Sequence, residues 1–241
     1  IQYNFGFFKL SAMLELLKRL KADGVKTIVT FHSTLGLQNA TGAHLSPDTL
    51  RDGLNSIDRV WVHTKRDVEN LSSVGVLKNV VHIPQGMKAF PDKEKSSVRK
   101  GIFTRSSIIS TFGFFLPPKG IRETIRSLPL LKSTYPDILF LVVSSLYPAP
   151  ISRDYFDACK RDVEELGLKS NVAFITEFLD DEEIIELLQA SDIIVMPYQE
   201  TKESSSAAVR FALASSRPVL VTDNHIFDEF SSSVYRIPQC S

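Results

Sequence analysis

The stretch DIIVMPYQETKESSSAAVRFALASSRPVLVTD, residues 192–223, falls into blocks of opposite character. Ile193 to Met196 is a short apolar run that reads as a buried strand, and Val219 to Thr222 is a second one. A polar loop between them leads into a helix expected to open near Glu203. Parallel strands need a crossover of this kind, so the stretch is one β-α-β unit. Glu203, Ser204, Ser205 and Ser206 then stand where the first strand has ended and the helix begins. That is the carboxyl edge of a parallel sheet, where open α/β folds put their ligands. A helix start also leaves backbone N–H groups unpaired, which favours an anionic ligand.

Working outward, the same alternation fills the region before this stretch. Ser107 to Phe112 and Ile138 to Val143 read as buried strands, and Asn171 to Ile175 as another. Between them lie a turn at Gly113 to Gly120, a helix over Ile121 to Leu131 that Pro129 should kink or cut short, and a helix closed by Gly167. Asp180 or Asp181 opens the helix before Asp192, and Val234 to Ile237 is strand-like. Nearer the start, Leu10 to Leu20 repeats at helical spacing and Gly24 supplies a stop. Lys26 to Phe31, Arg59 to His63 and Val80 to Ile83 are strands, with Ser46 or Asp48 and then Thr64 as helix caps. From Met87 to Arg105 the periodicity fails, and that polar stretch reads as a connector between two similar α/β halves.

Composition narrows the function. The 241 residues are 43% hydrophobic, enough for one large or two small cores. Lysines and arginines number 28, as do the acids, so no net field attracts nucleic acid. Cys159 and Cys240 are far apart and match no zinc or disulfide spacing, which suits a reducing, cytoplasmic setting. No apolar run reaches the roughly 18–20 residues of a membrane helix, although peripheral membrane association through a surface patch stays open. The chain begins without methionine and stops just after a strand, which reads as a fragment of a longer polypeptide.

Four motifs in order resemble the retaining, GT-B-fold glycosyltransferases of family 4. Their donor-sugar segment has a Glu, seven residues and a second Glu before a small-residue helix ending in Gly-x-Pro-Val; Glu203 falls on the first Glu, and Phe211 stands at the second. Gly113 to Gly120 is similar to their Gly-Arg…Lys-Gly phosphate segment, with Lys119 kept and Phe114 in place of Arg. Thr30-Phe31-His32-Ser33 resembles Thr-x-His-Thr, and Ile83-Pro84-Gln85-Gly86 resembles Ile-Pro-His-Gly. The resemblance implies two Rossmann-like parallel-sheet domains facing across a cleft, both incomplete here. Residues 1–88 would be the later part of the acceptor-side domain, 89–104 a linker, and 105–241 the nucleotide-sugar domain.

What the resemblance implies for chemistry is transfer of a sugar from a nucleoside diphosphate donor to a carbohydrate or lipid-linked acceptor, as in polysaccharide biosynthesis, with retention at the anomeric carbon. It implies no cofactor and no metal. Lys119 would neutralise the leaving diphosphate, Glu203 would hold the donor sugar, and His32 would contact that sugar from the acceptor side. Gly113, Ser204, Ser205 and Ser206 would bind the donor. Each has a plainer reading: Lys119 as a loop charge, Glu203 as a helix-end acid, the serines as helix-start chemistry, His32 as a structural histidine. Glu200 competes with Glu203 if the loop register differs, and His44, His63, His82 and His225 show no ligand spacing. Phe211 and Phe114 remove a ribose ligand and a phosphate clamp. Two alternatives therefore stand: a non-catalytic nucleotide-sugar-binding or scaffold module, and a GT-B sugar-nucleotide epimerase.

Overall fold

The computed structural model describes residues 1–5, 8–37, 45–99, 107–201 and 203–239; His44 and Cys240 lie outside them. The chain divides into two compact units. The first comprises residues up to Gly86 together with 203–206, and the second comprises Met87–Thr201 and the chain from Ala207 onward.

The first unit has a four-stranded sheet, β1 (Gln2–Tyr3), β2 (Ile28–Phe31), β3 (Arg59–Val62) and β4 (Val80–His82), in sequential order. Every pairing is parallel, with Thr30 opposite both Gln2 and Trp61. Helices α1 (Leu10–Ala22), α2 (Pro47–Asn55) and α3 (Lys65–Ser73) make the crossovers. Ser46 caps α2 by accepting from the Thr49 N–H, and Thr64 caps α3 by accepting from the Asp67 N–H. Each cap satisfies one donor that a helix start leaves free, an effect of about 1 kcal/mol. The core gathers Tyr3, Leu17, Phe31, Leu50, Leu54 and Leu71, all buried, each contributing roughly 1.5–3 kcal/mol of burial.

The second unit opens with a short helix, α4 (Lys95–Arg99), inside the stretch expected as connector. Arg99 donates to the Ala190 carbonyl and to Asp192, both at 2.7 Å, and Gln189 donates to the Pro91 carbonyl at 2.8 Å. Residues 91–99 are thus bonded to this unit despite their lack of periodicity, because ion pairs and backbone bonds rather than an apolar stripe hold them. Six strands follow: β5 (Ile108–Phe114), β6 (Leu139–Ser145), β7 (Val172–Ile175), β8 (Ile193–Met196), β9 (Val219–Thr222) and β10 (Tyr235–Ile237). They pair in parallel in the order β10-β9-β8-β5-β6-β7. The chain runs outward from β5 to β7 and then returns to β8 on the other side of β5. The order therefore reverses between β5 and β8, and a crevice opens at the carboxyl ends of those two strands.

Helices α5 (Ile121–Lys132), α6 (Pro150–Glu165), α7 (Asp181–Gln189) and α8 (Ala207–Ala214) complete the unit. In β6 the side chains alternate between two cores, Phe140 and Val142 in one, Leu139, Leu141 and Val143 in the other. Both faces of the sheet are covered, as a parallel sheet requires. Two expectations are corrected. Pro129 does not cut its helix, which continues to Lys132, with Ile125 and Leu128 anchored in the core around it. The helix expected near Glu203 starts instead at Ala207, because Ser204 is engaged by side-chain bonds in the first unit that hold the preceding backbone away from helical geometry.

Candidate functional site

At the β5/β8 crevice four groups meet. Gly113, near the end of β5, has φ 138°, and a Cβ there would lie 3.6 Å from the Ala208 Cβ and 3.9 Å from the Tyr198 hydroxyl. The backbone of β5 is thus closely approached by the first turn of α8. Beyond it, Pro117–Lys119 form one 3₁₀ turn, closed by Gly120 at φ 68°. A Cβ on Gly120 would stand 1.9 Å from the Pro197 carbonyl oxygen, so only glycine lets this turn dock on the end of β8. The docking is sealed by a 2.8 Å bond from the Gln199 N–H to the Pro118 carbonyl.

This turn sets Lys119. Its Nζ lies 4.0 Å from the centre of the Tyr198 ring, a cation–π contact with a fully buried aromatic side chain. Tyr198 is held in turn, since its carbonyl accepts from the Thr222 hydroxyl at 2.6 Å and Asn224 donates to the Gln199 carbonyl at 2.8 Å. A positive charge is therefore fixed at the strand-order reversal. Phe211, one turn into α8, packs on Phe112 at 5.3 Å and Phe90 at 6.3 Å, and Phe114 meets Tyr147 edge-on at 5.3 Å. Both phenylalanines belong to aromatic clusters and offer no hydrogen bond where the family pattern has an acid and an arginine. Arg210, beside Phe211, is buried and pairs with Glu229 at 2.8 Å.

In the first unit the ends of β2, β3 and β4 collect a second set. His32 Nε2 lies 2.8 Å from the Gln2 side-chain oxygen, and its ring is 5.2 Å from that of His63 at 51°. Burial, and then repulsion from His63, push the His32 pKa below the ordinary histidine value. His63 Nδ1 lies 3.0 Å from the Ile83 carbonyl, which can only accept, so Nδ1 carries the proton. Nε2 of His63 is buried and has no partner among the described residues. Residues 203–206 close this set. Glu203 is exposed, Ser205 lies 3.4 Å from the Gln85 side-chain oxygen, and Ser206 is buried. Ser204 is buried too, with its hydroxyl 2.7 Å from Asp67 Oδ1 and 2.8 Å from Ser33.

Of the residues singled out from sequence, Gly113 and Lys119 come together in the second unit, and His32, Glu203, Ser204, Ser205 and Ser206 belong to the first. Tyr198, Asp67 and His63 were not singled out. Tyr198 had a signal in its place just past the strand Ile193 to Met196, and Asp67 in its place three residues after a Thr cap. The pairing of His63 with His32 needs the register of β2 against β3, which sequence spacing does not supply. Among the described residues no three His, Cys, Asp or Glu side chains converge as a metal site, and no helix is long and apolar enough to cross a membrane.

Comparison with known proteins places this architecture. Residues 92–233, more than half of the chain, match the family described as glycosyl transferases group 1. No curated protein matches the sequence. Among solved structures, the chain is similar to the C-terminal domain of a glycosyl transferase group 1 family protein, LpcC, from Francisella tularensis, with TM-score 0.54 and 22% identity over 64% of this chain and 78% of that one. It is similar to Anabaena Alr3699/HepE in complex with UDP, with TM-score 0.74 and 16% identity over 95% of this chain and 63% of that one. It is also similar to an Escherichia coli structure described as trehalose-6-phosphate bound with UDP-2-fluoro glucose, with TM-score 0.71 and 13% identity over 94% and 60% of the two chains. The chain thus spans about six tenths of the length of the last two. Their likeness is one of fold, the GT-B arrangement of two parallel-sheet α/β domains, and the family follows from the match over residues 92–233: this chain belongs to the group 1 glycosyl transferases.

Proposed function

We propose that the protein transfers a sugar from a nucleoside diphosphate donor to a carbohydrate or lipid-linked acceptor, with retention at the anomeric carbon, in the manner of family 4. The observation that carries this reading is the Lys119 ammonium held against Tyr198 at the β5/β8 strand-order reversal. When the bond between anomeric carbon and phosphate oxygen breaks, negative charge grows on the departing diphosphate. A fixed cation stabilises that charge without reorganising, the largest contribution such a site makes. No cofactor is invoked. Glu203 accepts hydrogen bonds from donor-sugar hydroxyls, Ser205 and Ser206 add polar contacts, and His32, kept neutral by burial and by His63, accepts a hydroxyl proton on the acceptor side. UDP in the Anabaena structure and UDP-2-fluoro glucose in the E. coli one support a nucleotide-sugar donor.

A second reading, a non-catalytic nucleotide-sugar-binding module, is favoured by one observation: Phe211 sits in an aromatic cluster where the family pattern has the ribose-binding Glu. Thermal shift against UDP, GDP, ADP and their sugar conjugates, with Lys119→Ala alongside, tests both. Ligand at about 100 times its dissociation constant stabilises by about 2.7 kcal/mol. A shift with one nucleotide that the variant loses supports the donor site, and sugar release from that donor in the full-length protein then separates transferase from module. A folded wild type that responds to none of them refutes the donor site.

A further inference from the structure

Asp67 is the feature that the proposed chemistry leaves unused. It lies in the first turn of α3 and is fully buried, yet among the described residues no cation pairs with it. Its two oxygens instead receive four donors. Oδ1 accepts from the Thr34 N–H at 3.0 Å, the Thr34 hydroxyl at 2.5 Å and the Ser204 hydroxyl at 2.7 Å, while Oδ2 accepts from the Thr64 hydroxyl at 2.6 Å. Asn70 adds a bond to the Thr34 hydroxyl at 2.9 Å. A carboxylate only accepts, so this convergence is fully matched in sign. Ser204 has a single hydroxyl proton and gives it to the carboxylate, which makes its oxygen the acceptor for neighbouring Ser33 and, at 3.4 Å, the Thr34 N–H.

The chain separation gives this network its meaning. Thr34 follows β2, Thr64 follows β3, and Ser204 arrives from 137 residues beyond Asp67. Asp67 therefore ties the ends of two strands to the segment that carries Glu203, Ser205 and Ser206. We propose that Asp67 is a positioning residue, which through Ser204 fixes the 203–206 segment in the conformation that presents Glu203 and Ser205 to the donor sugar. The donor part of this statement rests on the function proposed above; the anchor does not. Ser204 on this account acts as a strut, with its hydroxyl spent on Asp67, and does not contact the sugar itself.

The test is hydrogen exchange by mass spectrometry on the ligand-free protein, read at residues 203–206 and, as a folding control, at α3 and β2. Ser204→Ala removes one donor and leaves the other three on Asp67. It should speed exchange at 203–206 by at least about tenfold with α3 unchanged, since the segment then opens without global unfolding. Asp67→Ala should do the same with some loosening of α3. Asp67→Asn keeps one oxygen for Thr34 and Ser204 and turns its amide toward the Thr64 oxygen, so it should restore most of the protection. Asp67→Leu fills the same space without an acceptor and should show no such rescue, whereas a merely space-filling Asp67 would be rescued by Leu as well as by Asn. In a second arm the wild type and Ser204→Ala are titrated with UDP-glucose, GDP-mannose and ADP-glucose, and the sugar that binds wild type should bind the variant about tenfold more weakly. Unchanged exchange at 203–206 in Ser204→Ala overturns the anchor. Faster exchange with unchanged affinity overturns the link to the donor, and a wild type that takes none of the three sugars overturns the donor reading while the exchange result still stands for the anchor.

Discussion

Gly120→Ala is the sharpest test of how the β5/β8 crevice is built. Two costs add at this position. The φ of 68° lies in the left-handed region, where a Cβ costs about 1–2 kcal/mol. The new Cβ would also stand 1.9 Å from the Pro197 carbonyl oxygen and 3.1 Å from the Pro197 ring, so the turn and the end of β8 must part. Overpacking of that kind adds about 1–3 kcal/mol. The sum is about 2–5 kcal/mol. Gly167→Ala isolates the first cost, because Gly167 has φ 63° in the same unit with nothing within 4 Å of its Cβ position. Urea denaturation followed by far-UV circular dichroism should put Gly167→Ala about 1–2 kcal/mol below wild type and Gly120→Ala at least about 1 kcal/mol lower still. Since the displaced turn carries Lys119, any nucleotide-dependent thermal shift should weaken in Gly120→Ala alone. Equal losses of stability in the two variants would refute the close approach of turn and strand.

Three further outcomes follow from particular side chains. Asp162 is buried between Arg122 at 2.7 Å and Arg126 at 2.7 Å, and Asp162→Ala should lose about 1–3 kcal/mol, because the two half-exposed arginines regain water. The hydrogen bond from Arg122 holds the Asp162 carboxyl below the usual carboxylate range, so its stabilisation is complete above the unfolded pKa of about 3.9 and fades as pH falls through the lower folded value; the gap in denaturation midpoint between wild type and Asp162→Asn should be constant above about pH 5 and shrink below about pH 4. The His32 ring should titrate by NMR below the free histidine value of about 6.5 and move part of the way back in His63→Gln, since burial is the larger cause and His63 the second. The corresponding stability is present above about pH 6.5 and is lost as pH falls toward the folded value. Ser216 has φ 59° just beyond α8, where the family pattern has glycine, and Ser216→Gly should raise the denaturation midpoint by the equivalent of about 0.5–1 kcal/mol.

Periodicity alone located β8 at Ile193–Met196 and β9 at Val219–Thr222 to the residue, because both are short, mostly apolar and β-branched runs between polar flanks. Thr64 was legible as a cap, and Ser46 and Asp180 each as one of two candidates, because capping chemistry is equally local. What depends on distant partners was not. Residues 91–99 looked structureless because their order comes from Asp192, Gln189 and Arg217 rather than from an apolar stripe. The start of α8 was misplaced by four residues because propensity cannot register a buried carboxylate that claims Ser204 from across the sequence. For the site, the positions of Gly113 and Lys119 at a strand end were readable, whereas the ring that receives the ammonium was not.

The aromatic trio of Phe90, Phe112 and Phe211 makes this chain's departure from the acidic family pattern self-locking. Writing Glu back at position 211 would set a carboxylate against rings centred 5.3 and 6.3 Å from the present one, in a region of the core that offers apolar neighbours on α8 and β5. The acid would have to be desolvated before any ribose arrived to pair with it. Restoring the second Glu is therefore not a one-step reversal: Phe112 and Phe90 must first give way to smaller or polar side chains. Laboratory evolution toward tighter nucleotide binding should accordingly pass through those two positions before it reaches 211.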